Sequence, residues 1–279
     1  MQASENKKIK KKKSVNTEIA NTKNVRHGIW LRVISFAVVV VLLLIGAGKL
    51  CDPIRLGLQD SVSERERYLL HLLSEPEEMV DVAILGDSES YTLVSTYQLW
   101  KEAGIASYIG GQSGQWIGES YFSLKKILKR QSPKVLILET NEFFSRGDAS
   151  VIKDAAKSAQ EFARQMFPIL KYHRFWKMEP ADPKLQTTIF NGFELRAAVA
   201  PYTGGGYMHT TDDRTPVTFI TRYYLDKIKR LCDAHGTKLL FVTAPSPVNH
   251  TIQLTVRAVA TIVHKGRSSH VWNVDVFTS

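Results

Sequence analysis

Val82-Ala83-Ile84-Leu85-Gly86-Asp87-Ser88-Glu89-Ser90 is the stretch on which the reading of this 279-residue chain turns. A short apolar run stops at a glycine, an acid and a serine, and helix-compatible polar sequence follows. A fully buried strand of a parallel sheet has this continuous apolar character, and such strands deliver polar residues to the carboxyl edge of the sheet, where ligands bind. Two similar passages come later. Residues 105–109 run into Gly110-Gly111-Gln112-Ser113-Gly114, and residues 134–138 close on Glu139-Thr140-Asn141-Glu142.

Between these runs the pattern turns helical. Residues 91–104 and 118–130 carry apolar positions at helical spacing, with Gly104 as a stop signal for the first. Further on, residues 155–166 and 221–235 read as helices, and Lys238-Leu239-Leu240-Phe241-Val242 as another strand. Strands alternating with helices imply right-handed βαβ units and a parallel sheet. The expected class is therefore α/β, with Asp87 and Ser88, then Ser113 and Gly114, then Asn141 at three successive strand ends.

The chain's net charge of +10 is unevenly placed. Residues 1–32 hold nine Lys and Arg against two Glu, which is seven of those ten charges. The remainder is close to balance. The basic leader, residues 1–28, precedes an apolar segment at 29–48 that supplies the roughly 20 residues needed to cross a bilayer core, with Trp30 placed as an interfacial anchor and Arg32 snorkelling. The positive charge before the span predicts a single-pass anchor with a cytoplasmic N-terminus and an extracytoplasmic domain. A cleaved signal peptide is the alternative, with Gly46-Ala47-Gly48 a poor cleavage site. The lysine run comes without any zinc-finger, helix-turn-helix or RNA-binding pattern, so no nucleic-acid partner is expected. Two cysteines, Cys51 and Cys232, make no disulfide framework.

The strand ends suit acyl chemistry. A serine hydroxyl becomes a nucleophile when a base takes its proton, and attack on an ester carbonyl places charge on an oxygen that needs donors about 3 Å away. The Ser88 and Gly114 backbone N–H groups and the Asn141 amide can donate there, and glycine lets the backbone come close. Asp87 is better placed to shape the turn than to react. No metal or dinucleotide cofactor is expected, since the histidines lack paired ligand spacing and the 110–114 loop lacks the glycine spacing of a dinucleotide site.

On these residues the stretch 84–141 resembles the SGNH (GDSL-type) hydrolase superfamily. Ile84-Leu85-Gly86-Asp87-Ser88-Glu89-Ser90 is similar to its first block, Gly111-Gln112-Ser113-Gly114-Gln115 to its second and Leu138-Glu139-Thr140-Asn141-Glu142 to its third. The resemblance implies Ser88 as nucleophile, Gly114 and Asn141 as oxyanion donors, and a flavodoxin-like three-layer α/β/α domain over residues 80–247. With the single N-terminal span it is similar to the DltD-like cell-envelope branch. That implies a bacterial esterase or acyltransferase working on acyl esters of a cell-surface polysaccharide or other polymer, with a membrane acyltransferase as a further partner.

Three regions fit less simply. Residues 52–79 read as a juxtamembrane helix. Residues 149–217 read as an insertion in which Trp176 and Tyr207 could stack on sugar rings, or equally belong to an ordinary packed subdomain. The tail, 248–279, lacks the late Asp-x-x-His that the family uses to activate its serine; Asp275 is its only acid, and His250, His264 and His270 do not follow it at that spacing. Residues 250–279 carry four charged side chains in 30, no Glu, and β-branched residues where a helix is due, against 23% charged for the whole chain. A reading frame lost near residue 250 explains this change of character; a divergent tail in which one of those histidines is the base is the competing account. Two classes beside the enzyme stay open: a non-catalytic polymer-binding or acyltransferase-assembly factor using the same cleft, and a structural envelope protein.

Overall fold

The computed structural model describes residues 29–59, 61, 62, 64–143, 151–172, 190–195 and 217–243. The basic leader, Trp176, Tyr207, most of the 149–217 insertion and the tail with His250, His264, His270 and Asp275 lie outside the described residues.

Four strands, β1 (Val82–Leu85), β2 (Ser107–Ile109), β3 (Val135–Glu139) and β4 (Lys238–Val242), form one parallel sheet in the order β2-β1-β3-β4. The register sets Val82 beside both Ser107 and Val135, and Val135 beside Lys238. The expected α/β class and parallel sheet are thus present. β1 is buried throughout and β3 almost so, as continuous apolar runs demand.

The period of two along each strand separates two apolar layers. Ala83, Leu85, Leu136, Leu138 and Tyr108 face one side, where α2 (Glu64–Ser74), α5 (Ile117–Ile127) and the long helix near the end of the described chain cover them. Val82, Ile84, Ile109 and Ile137 face the other, with Tyr68 and Tyr91 packed against them at a ring-centroid distance of 4.7 Å. Burying each Leu or Ile contributes about 1.5–3 kcal/mol, so these two layers carry most of the folding drive.

Two expected helices differ in extent. Residues 52–79 form a helix only over α2, because Asp52, Pro53 and Gly57 make tight turns ahead of it and Pro76 follows its end. Asp52 accepts the Ile54 N–H through its side chain at 3.0 Å, and Gly57 takes a φ of 67°. Residues 91–104 are broken into α3 (Ser90–Leu93) and α4 (Thr96–Ala103). Val94 between them is extended, and the Ser95 hydroxyl caps α4 by accepting the Gln98 N–H at 3.2 Å. Gly104 does stop α4, in the left-handed conformation.

A 3₁₀ turn, Thr140–Phe143, follows β3. Then come α6 (Val151–Met166), α7 (Ile169–Tyr172) and α8 (Phe219–His235). α8 lays Tyr224, Leu225, Ile228 and Cys232 onto the sheet, with Trp116, Tyr121 and Phe122 around Tyr224. Cys51 and Cys232 are both free and buried, in different apolar clusters.

Before all of these, α1 (Ile29–Leu50) is 22 residues long and apolar enough to cross a membrane. At 1.5 Å per residue it spans about 33 Å, matching a hydrocarbon core of about 30 Å, and its apolar stretch is not packed inside the molecule. A signal sequence has the same length and composition.

Candidate active site

The carboxyl ends of β1, β2 and β3 meet. Gly110 N–H donates to Ile84 O at 2.8 Å and Gln112 N–H to Gly86 O at 3.1 Å, so the loops after β1 and β2 are bonded side by side. Gly86 has a φ of 153°, and a Cβ there would run into the Cβ of Glu139 and lie 3.3 Å from that of Ser90. A Cβ on Gly111 would overlap the Ser90 hydroxyl and sit 2.8 Å from Gly86 O. Glycine at these two positions is what allows three strand ends to converge.

Asp87 sits at the centre of the convergence and is buried. One carboxylate oxygen accepts the Glu89 N–H at 2.9 Å, closing the turn, and the other accepts the Asn141 side-chain amide at 2.6 Å. The Ser90 hydroxyl donates to Asp87 O at 2.7 Å. Asp87 therefore shapes the turn, as its sequence suggests, and also holds Asn141. One of the two Asn141 amide hydrogens is spent on Asp87, which leaves the second for a ligand.

Asp87, Gly114 and Asn141 together line a cavity of about 410 Å³, along with Arg65, Trp116, Glu119, Lys157 and Arg164. Gly114 holds a φ of 62° in the turn that precedes α5. Arg65, reaching over from α2, donates to Ser113 O at 2.9 Å and to both Glu119 oxygens at 2.6 and 2.7 Å. It ties the Gly114 loop to α5, with its Nε on Ser113 O and its Nη2 shared between the two Glu119 oxygens. Of the five residues singled out at the strand ends, Asp87, Gly114 and Asn141 are thus brought to one wall, while Ser113 meets it only through its carbonyl bond to Arg65. Ser88 is half-buried, next to Asp87 in the chain, and is not among the residues that line this cavity. The helix that starts after it, α3, is a single turn, so the dipole offered to Ser88 is smaller than a helix over residues 91–104 would supply.

Two buried acids flank Asn141 in the chain behind the cavity wall. Glu139 is fully buried, and its carboxyl accepts the Asn141 backbone N–H at 2.8 Å. Burial pushes its pKa up to about 8; the Asn141 N–H opposes this, and the charges of Asp87 and Glu89 reinforce it. Glu142 is also raised well above the usual carboxylate range, first by burial, with the Ser120 hydroxyl opposing the shift. It accepts from Ser120 at 2.5 Å, and Ser120 in turn accepts from Gln115 at 2.5 Å. Burial thus favours the protonated form of both carboxyls, and a protonated carboxyl can donate a hydrogen bond where a carboxylate cannot.

Sequence reading missed Arg65, Lys157 and Arg164. They come from helix faces outside the strand-end pattern, and nothing local marks them. Glu139 and Glu142 stood inside the third block, yet an acid directly after a buried strand gives no sign of whether it turns inward. Among the described residues, no three His, Cys, Asp or Glu side chains are grouped to hold a metal ion, and no histidine lines the cavity. No protein-family model matches the chain, and neither does any curated protein or solved structure.

Proposed function

We propose that this chain is a membrane-anchored, extracytoplasmic protein of SGNH type whose cleft handles acyl esters of a cell-envelope polymer. The observation that carries this reading is the gathering of Asp87, Gly114 and Asn141, from three separate strand ends, around one 410 Å³ cavity. In the proposed reaction the Ser88 Oγ attacks the ester carbonyl carbon as its proton passes to a base. The resulting oxyanion is held by the Gly114 N–H and the free Asn141 amide hydrogen. Collapse expels the alcohol, which takes the proton, and leaves Ser88 acylated. Water, or a sugar hydroxyl of the polymer, then accepts the acyl group and restores the serine. His250, His264 and His270 are the bases open to it in the tail. α1 supports the anchor, and the basic leader before it supports an orientation with the N-terminus in the cytoplasm.

Hydrolysis of an aryl acetate by the full chain, compared with Ser88→Ala, tests the reading. A rate at least tenfold above that of Ser88→Ala is expected, in keeping with loss of a covalent nucleophile. Equal rates remove the esterase. A second reading, a polymer-binding or acyltransferase-assembly factor, is favoured by one observation: the cavity wall is built from Arg65, Trp116, Lys157 and Arg164, with no histidine among the described lining residues. Polymer binding that survives Ser88→Ala alongside equal hydrolysis rates selects it.

A further inference from the structure

α6 is amphipathic, but it is mounted with its polar side inward. Asp154 and Glu161 are 8% and 4% exposed, and Ser158 lies between them on the same face, its hydroxyl donating to Asp154 O at 2.8 Å. Glu161 accepts from Gln165 and lies within electrostatic reach of Arg65 and Lys126. The other side of the helix presents Ile152 at 80%, Phe162 at 56% and Met166 at 50% exposure, with Ala155 and Ala159 exposed between them. These positions follow the 3.6-residue period along one stripe about 21 Å long. A surface helix of a globular domain has the opposite arrangement, so this stripe calls for a covering.

The end of the stripe says what covers it. Two residues beyond Met166, Pro168 packs against the last turn of α1: a Cβ on Gly48 would sit 2.9 Å from the Pro168 ring. Consecutive Cα atoms are 3.8 Å apart, so Met166 lies within about 8 Å of this contact. Cys51, just past α1, shares a small apolar cluster with Val62, Leu70 and Tyr172, against which Ile169 packs. α7 and the exit of α1 are therefore one packed unit, and Leu170 of α7 is 47% exposed beside it. Charge agrees with apolar placement: the acids of α6 are buried, while Lys153 and Lys157 are exposed and Arg164 is partly so. Apolar residues flanked by cations are the composition that seats a helix in an anionic headgroup layer.

We propose that the outward stripe of α6, with Leu170 of α7, lies in the lipid headgroup region of the leaflet from which α1 emerges. This rests on the reading of α1 as a retained anchor. The domain then stands on the membrane by two supports, α1 and α6, and the Lys157 and Arg164 side of α6 that lines the cavity is held close to the lipid surface.

Spin labels at Ala159→Cys, on the stripe, and at Gln160→Cys, a quarter turn away and also exposed, test this in the full chain in phosphatidylcholine–phosphatidylglycerol vesicles. Cys51 and Cys232 are 3% and 1% exposed and stay unlabelled. The expected result is a ratio of oxygen to aqueous nickel-chelate accessibility several-fold higher at 159 than at 160. Phe162→Asp with Met166→Asp should bring the 159 ratio down to that at 160 without moving the unfolding midpoint in detergent, because both side chains are already half exposed. Equal aqueous access at 159 and 160 overturns the proposal. So does a label at 159 shielded from oxygen and nickel alike, since that reports cover by protein, a second copy or another segment, rather than lipid. The intact mass of the chain isolated from membranes separates the premise: a chain cut behind α1 removes the anchor and this inference with it, whereas a full-length chain with an aqueous 159 removes this inference alone.

Discussion

Glu139 ends β3 with its side chain wholly enclosed, facing the turn that carries Asp87. Its proton is held in the folded chain up to about pH 8, against a usual value of 4.5. Between those values this carboxyl binds more protons in the folded state than in the unfolded chain, so its contribution to stability is fully present below pH 4.5 and is lost as pH rises towards 8. The limiting slope for one such group is about 1.4 kcal/mol per pH unit. Glu142 pushes in the same direction. Glu139→Gln keeps the shape and removes the titration, so urea midpoints taken at pH 5 and pH 7.5 should differ less in the variant than in the parent. An unchanged difference would show that Glu139 is ionised at neutral pH. At this scale the sequence was readable where chemistry depends on chain neighbours: the Asp87 turn follows from Gly86-Asp87-Ser88-Glu89. It was silent on the Asp87–Asn141 bond, because 54 residues separate the two partners and only the sheet register brings them together.

Among the elements, α8 was the most legible. Tyr224, Leu225, Ile228 and Leu231 at helical spacing announce an inward face, and Gly236, with a φ of 70°, ends the helix as expected. Ile228 is fully buried in the main apolar layer, so Ile228→Ala should lower the stability of the chain by about 2–5 kcal/mol, through lost burial and the cavity left behind. Denaturant midpoints would show it, and a loss under 1 kcal/mol would mean that the layer is loosely packed there. α6 marks the limit of the same reasoning. Its periodicity shows an apolar and a polar side but not which one turns inward, and here a buried charged neighbourhood around Arg65 and Lys126 draws the polar side in. The split of residues 91–104 was hidden for a similar reason: Val94 and Ser95 suit a helix interior poorly by only tenths of a kcal/mol, and the capping bond from Ser95 decides the matter.

For the whole molecule, the sheet order matters most. β1 and β3 are the inner strands and carry Asp87 and Asn141 at their ends, whereas β2 and β4 are the outer strands among the described residues. Lys238 and Leu240 of β4 are exposed, and Leu85 and Leu138 of the inner pair are fully buried. Amide exchange should therefore be slowest along β1 and β3 and at least about tenfold faster along β4, because outer strands open by smaller, cheaper fluctuations. Uniform exchange across all four strands would contradict this. The parallel class was legible from the continuous apolar runs, but the order was not, since β4 reaches β3 from about a hundred residues downstream. The contact between Gly48 and Pro168 has a mechanical consequence. A pull along α1 would enter the molecule at the small Cys51, Val62, Leu70 and Tyr172 cluster, which lies between α1 and β1 in the path of the load. The strand ends that line the cavity would meet such a load only after that cluster had carried it.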